Sequence, residues 1–346
     1  MKLSVIVPVY NCEQYLVRCF DHLIHSEVQV IIVNDGSTDG SKGIIDSYCQ
    51  KYFNFMAIHT ENQGAVKARS EGLKQVQTEY FTFVDSDDYC DIQALVSLCD
   101  FMSARNVFVG NGRSTVYLSG IPFPFHSRKW NKTFINFKED KRDFTNTTCT
   151  LWGKVFHYDL RDYFISDSSH IVYEDMEMVY PVLAKSEKMI HTNQLLYSYC
   201  MRSSSTSALG LSMNSSKGLE GLLSAIVTMQ KRFQDLGLYE EYQLELDSIA
   251  IKLIYQRMNS ILRNPNIINK REMMELVLHV LDSFIPNWRN NPYYLEKFKE
   301  SEYNDYIFYK TTELALYVLQ IKSHEVEQDY RTLLQTYNLK LELKKN

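Results

Sequence analysis

Long apolar runs are missing from this sequence. No stretch approaches the ~18 consecutive apolar residues that cross a bilayer, so a membrane-spanning protein is not expected. Positive charge is not in excess either. With 37 Lys and Arg against 42 Asp and Glu the formal net charge is -5, and no basic stripe of the kind that grips nucleic acid through its phosphates is visible. The seven cysteines (12, 19, 49, 90, 99, 149 and 200) have neither metal-ligand nor redox spacing. Most lie in apolar periodic stretches, which suits reduced core residues of a cytosolic protein. No Gly-x-Gly-x-x-Gly turn follows the first strand-like segment, which argues against a dinucleotide-dependent oxidoreductase. No internal repeat stands out. The start, Met1-Lys2-Leu3-Ser4-Val5-Ile6-Val7, turns polar at Asn11 without a small-residue cleavage site, and reads as a strand rather than a signal peptide.

What is present is a core. Apolar residues make up 45% of the 346, enough for one large domain or two ordinary ones. The 24 Tyr and 18 Phe suit packing against nucleobases and sugar rings, although filling the core accounts for most of them. The first hundred residues alternate strand and helix signals. Ser4–Val9, Val28–Val33, Phe55–His59 and Tyr80–Val84 read as strands. Between them, Tyr15, Leu16, Cys19, Phe20 and Leu23, then Ile44, Ile45, Tyr48 and Tyr52, then Gly64–Val76, read as helices, with another over Ile92–Met102. Asn11 or Glu13 is expected near the first helix cap. This alternation predicts a parallel α/β sheet with right-handed crossovers, whose ligands bind beyond the carboxyl ends of the strands. Three polar clusters fall at such ends: Asn11, Asp35 and Asp85–Asp88.

The acidic cluster Asp85-Ser86-Asp87-Asp88 follows a strand. Alternate carboxylates there can converge on a divalent cation that bridges a diphosphate, although such a loop can equally be a solvated turn. Asp35, in Asn34-Asp35-Gly36-Ser37-Thr38-Asp39, is suited to accept a hydrogen bond from a nucleobase imide. The competing reading is an Asx turn with Ser37 or Asp39 capping the next helix, and the two are compatible.

Pro8-Val9-Tyr10-Asn11, Asn34-Asp35-Gly36-Ser37-Thr38-Asp39, Asn62-Gln63-Gly64 with Ala68-Arg69, and Asp85-Ser86-Asp87-Asp88, in this order and spacing, resemble glycosyltransferase family 2 over about residues 1–210. The resemblance implies a GT-A fold, a nucleotide-sugar donor (a UDP-sugar above all), Mn²⁺ or Mg²⁺, and inversion at the anomeric carbon. It puts Pro8, Tyr10 and Asp35 around the base, Arg69 at that pocket or the phosphates, Asp85 and Ser86 at the ribose side, and Asp87 on the metal, with Asp88 in support. It also supplies a general base from the pair Glu174-Asp175 at a helix start, preceded by Trp152-Gly153-Lys154-Val155-Phe156. Asp175 is expected as the base and Glu174 as its orienting partner, against the plainer reading of acids at a helix N-terminus. Arg202 is a candidate phosphate clamp. His170 and His191 flank the base region, as metal-site or merely structural histidines.

Ser203-Ser204-Ser205-Thr206-Ser207 is the expected boundary. It divides a catalytic domain 1–210 (nucleotide-sugar binding in 1–105, acceptor and base region in 106–210) from an all-helical accessory domain 211–346. The helical part could shape the acceptor cleft, form a homo-oligomer, or rest peripherally on the inner face of the cell membrane beside a lipid-linked acceptor. The ending Leu339-Lys340-Leu341-Glu342-Leu343-Lys344-Lys345-Asn346 is weakly basic and amphipathic for that last role. The expected acceptor is a growing surface polysaccharide or lipid-linked oligosaccharide, then a glycoprotein or teichoic-acid-like polymer. Two other classes remain: a phosphatase-like hydrolase with an Asp-x-Asp nucleophile, and a nucleotide-sugar-binding scaffold without turnover.

Overall fold

The computed structural model describes residues 1–118, 121–126, 132–165, 173–201, 216–263 and 281–293. Arg202, His170, the serine stretch at 203–207 and the basic ending lie outside them, as do parts of the expected helical domain. The chain divides into two compact units, Met1–Met213 with Glu220–Tyr242, and Asn214–Leu219 with Gln243–Asn346.

In the first unit, β1 (Leu3–Val9), β2 (Val28–Asp35), β3 (Phe55–Thr60) and β4 (Tyr80–Phe83) are parallel, in the spatial order β3-β2-β1-β4. Their crossovers are α1 (Glu13–Asp21), α2 (Ser41–Lys51) and α3 (Ala65–Leu73). The apolar run of β2 is buried on both faces, as a strand covered by helices on either side requires. Gly72 lets α3 approach closely: a Cβ there would lie 2.5 Å from Ile6 Cγ2.

The other half of the sheet, beyond the first hundred residues, is mixed. β9 (Lys154–His157) inserts antiparallel between β4 and β6 (Val109–Leu118). β10 (Lys188–Met201) then runs parallel to β6, and the two-residue β5 (Tyr89–Cys90) closes the edge antiparallel to it. β7 (Ile121–His126) pairs with β6 and β8 (Phe134–Asn136) with β10, giving ten strands among the described residues. α4 (Ile92–Ser103) is capped by Asp91, whose side chain accepts from the Ala94 amide. α5 (Lys141–Asn146) and α6 (Glu174–Ser186) complete the layer, and Phe81, Phe83, Phe156 and Phe164 pack edge to face in the core.

α7 (Ser216–Asp235) begins the helical sequence, yet its Phe233 packs 6.3 Å from Phe144 of α5, and Tyr242 packs 4.9 Å from the same ring. In the second unit, on α8 (Tyr239–Arg263), Tyr255 meets Trp288 edge to face. No helix among the described residues is long and apolar enough to cross a membrane.

Candidate active site

The site is assembled where β1, β2 and β4 end. The loops after β1 and β2 are laced together. Asn11, at φ +50°, does not cap α1; its Oδ1 accepts from the Thr38 amide (2.8 Å), while its own amide donates to Ser37 Oγ (3.0 Å). Glu13 Oε2 likewise accepts from the Gly40 amide. Asp39 serves two helices. Its Oδ2 accepts from the Glu13 amide at the start of α1, and its Oδ1 from the Ser41 amide at the start of α2. Each contact satisfies an orphan donor of a helix's first turn. Gly36 takes φ +70° here, and a Cβ on it would lie 2.6 Å from the Asn62 amide nitrogen, so only glycine fits.

Asp35 is 4% exposed and binds the entry to α3: its carboxylate accepts from the Gln63 and Gly64 amides, both at 2.8 Å, and from Thr60 Oγ1 at 3.3 Å. Beside it, Tyr10 stands 49% exposed at the end of β1, with Pro8 half-buried one turn of the pleat behind.

Arg69 is the hub. It is 6% exposed rather than solvated. Its guanidinium donates to Asp85 Oδ1 (3.0 Å) and to Glu174 Oε1 (3.1 Å), and lies 4.0 Å from Asp175 Oδ1. Residues far apart in the chain thus meet on one cation. Burial opposes its charge, but the three carboxylates override burial and raise its pKa further. Arg69 Nε is buried without a hydrogen-bond partner among the described residues.

Glu174 and Asp175 begin α6, after Tyr173 at φ +64°. Asp175 Oδ2 accepts from the Leu151 amide (3.2 Å), and its side chain keeps 22% of its surface, so a substrate can reach it. Burial, then the charge of Glu174, push its carboxyl up to about 7 against the pull of Arg69.

In the acidic cluster the roles divide. Asp88 is wholly buried; its oxygens accept from Tyr197 Oη and from the Cys200 amide, both at 2.7 Å, and Tyr197 Oη also accepts from the Asp85 amide. Trp152 stacks on Tyr197 and Tyr199. Asp88 therefore ties the cluster to β10. Ser86 is buried, while Asp85 and Asp87 stay partly exposed, and Arg18 donates to the Asp87 carbonyl at 2.6 Å. Among the described residues no three His, Cys, Asp or Glu side chains gather to hold a metal. The oxygen donors present suit a hard cation that takes one or two carboxylates and completes its shell from a substrate's phosphates. His191 lies apart, 3% exposed in β10 beside Asn111, with burial lowering its pKa to about 4. A cavity of about 450 Å³ lined by Arg105, Lys132, Phe134 and Lys188 involves none of these groups.

Tyr197, Cys200, Arg18 and the Leu151 amide are missed by sequence reasoning. Cys200 and Leu151 act through backbone amides, Tyr197 through its hydroxyl and Arg18 through a guanidinium on the surface of α1, with no motif to mark them.

Residues 4–160 match the family described as Glycosyl transferase family 2. Over those residues, a little under half of the chain, it is similar to glycosyl transferase family 2. Glycosyltransferase GlyA of Streptococcus pneumoniae is 32% identical over 220 residues, 60% of this chain and 31% of GlyA. The poly(ribitol-phosphate) beta-glucosyltransferase of Bacillus spizizenii is 39% identical over 108 residues, 29% of this chain and 17% of that enzyme. The chain thus spans a third or less of the length of these two curated relatives. Among solved structures, residues 1-349 of S. aureus TarS superpose with a TM-score of 0.67 at 19% identity, covering 98% of this chain and 92% of that one; the same fragment in complex with UDP gives 0.64. The family 2 domain has the GT-A fold, as its motifs imply.

Proposed function

We propose that the chain is an inverting glycosyltransferase that moves a sugar from a nucleoside diphosphate, best UDP, to a hydroxyl of a bacterial surface polymer. One observation carries this reading: Asp175, still accessible, is gathered with Glu174 and Asp85 around Arg69 beyond the ends of the parallel strands. The acceptor oxygen attacks the anomeric carbon, the bond to the diphosphate breaks, and the hydroxyl proton passes to Asp175. A carboxyl raised to about 7 is matched to that task at neutral pH. Glu174 orients the pair through Arg69, which thus serves the acids rather than the phosphates directly.

Tyr10 and Pro8 flank the base. Asp35 has about four acceptor directions, and with three donors already bound it keeps one for an imide N–H. Asp85 and Ser86 are assigned to the ribose side, and Arg202, outside the described residues, to the phosphates. Asp87 would hold Mn²⁺ or Mg²⁺ together with the donor's diphosphate. The cation, when bound, neutralises charge on the departing nucleotide.

A surface polysaccharide or lipid-linked oligosaccharide is the leading acceptor, taken at the cytoplasmic face of the membrane. The name of the Bacillus spizizenii relative supports a teichoic-acid-like polymer as the second reading. Catalytic and helical parts meet near residue 210 in this proposal.

Calorimetric titration with nucleoside diphosphates, with and without Mn²⁺, is the test. UDP and Mn²⁺ should each tighten the other's binding, since the metal's shell is completed by both. Asp87→Ala should abolish that synergy. Asp175→Asn should bind UDP as the wild type does. Its UDP release from UDP-sugars, with poly(ribitol phosphate) or polysaccharide as acceptor, should fall roughly 10²–10⁴-fold. Metal-independent binding, or none to any nucleotide, sinks the reading.

A further inference from the structure

Lys154 opens β9 in the middle of the sheet and is 0% exposed. Lysine is almost never fully buried without a charged partner. Yet among the described residues no carboxylate lies within ion-pair distance of it, and its three donors meet neutral acceptors. The ammonium donates to the Thr150 carbonyl (2.8 Å) and to the hydroxyls of Thr148 and Thr150, both at 3.2 Å. All three belong to the segment that ends at Leu151, whose amide donates to Asp175. The backbone of Lys154 is itself fixed. Its carbonyl accepts from Thr82 Oγ1 of β4 (2.6 Å), and it pairs with Asn111 of β6. On the far side, Tyr180 of α6 donates to the Thr147 carbonyl at 3.2 Å. A rigid strand thus grips a short loop, and the loop holds the carboxylate.

From this geometry we infer that Lys154 is a positioning residue for Asp175, fixing segment 148–151 so that the Leu151 amide aims its carboxylate while the buried ammonium favours the ionised form. The inference deepens the proposed role of Asp175 and rests on that reading for its catalytic meaning. A lysine kept for packing alone is a poor account, since a methionine of similar length fills the same space without the cost of burying a charge. The charged groups around Asp175 are Glu174 on the same helix, Arg69 on α3, Asp85 after β4 and Lys154 on β9; the titratable groups around Lys154 are Asp175, Cys149 and, on β10, His191. Burial lowers the Lys154 pKa to about 8, so it remains mostly cationic at pH 7, where Asp175 titrates. Loss of the cation favours protonated Asp175, and the Asp175 midpoint rises.

The test needs no substrate. The full chain is labelled with ¹³C at the aspartate carboxyl carbons, and the Asp175 signal is assigned by its loss in Asp175→Asn. Its titration is then followed in wild type, Lys154→Met and Thr150→Val. Lys154→Met should raise the Asp175 midpoint by about half a pH unit or more, a shift of the size one partly screened charge produces. Thr150→Val removes one hydroxyl acceptor but keeps the ammonium, and should raise it less. If Lys154→Met fails to fold, Thr150→Val alone decides by its direction. An unchanged or lowered midpoint in every folded variant overturns the inference. Should Asp175→Asn still release UDP at the wild-type rate, the base assignment fails instead, and the NMR midpoints continue to judge Lys154 separately.

Discussion

Asp175 and Asp88 are both carboxyls whose pKa burial raises, and they do opposite work. Asp88 is sealed and hydrogen-bonded on both oxygens, so its value is structural. Asp175 keeps an open surface beside a cation, which suits the proposed role of proton acceptor. A raised carboxyl must lose its proton before it can accept one. Turnover should therefore climb as pH rises through about 7 and level off above it, which a kcat profile against pH reads directly. Glu174→Gln removes the neighbouring anion that helps raise Asp175, so the same limb should move to lower pH. A limb that stays in place would assign it to another group. At this scale the sequence is half legible. Asp35, Asp85 and Asp87 stand out because they follow strand ends, whereas the Glu174-Asp175 pair is marked only by the family resemblance. What each side chain holds is invisible, since Asp35 spends its oxygens on two amides of the loop before α3 and Asp88 on groups of β10.

At the scale of elements, local periodicity marks α1 to α4 and β1 to β4 because each buries a face set by its own spacing. It fails for β9, four residues long, whose neighbours in the sheet come from residues 80–81 and 109–111. A strand that short gains its identity from its partners, and the sheet turns mixed there. β5 is shorter still and depends on Asp88, whose side chain binds the same stretch of β10 that β5 pairs. Asp88→Ala should cost about 2–5 kcal/mol in chemical denaturation, because it leaves buried donors unmet. Asp87→Ala should cost no more than about 0.5 kcal/mol, as surface changes do. Equal losses in the two variants would remove the division of labour assigned to this pair.

For the whole molecule, the expected break near residue 210 reflects a change from alternating to purely helical spacing. Spacing does not reveal ownership. α7 reads as the start of the helical part, yet its Phe233 joins Phe144 in the core of the first unit. Phe233→Ala should accordingly lower the stability of that unit by about 3–5 kcal/mol, seen as its earlier unfolding on heating. If that unit unfolded at an unchanged temperature, α7 would be dispensable to it.

The grip of β10 on Asp88 also sets an order in time. β1 and β2 pair across 25 residues, from Leu3 to Val28, whereas Asp88 must wait for Cys200, 112 residues further along. Loop closure of that length is slow, and a chain made from its N-terminus forms its early strands first. A nascent chain halted before residue 190 can pair its first four strands while its acidic loop still lacks the hydroxyl and amide that shape it. Synthesis itself therefore delays the shaping of the acidic loop, and an incomplete chain carries the first four strands without it.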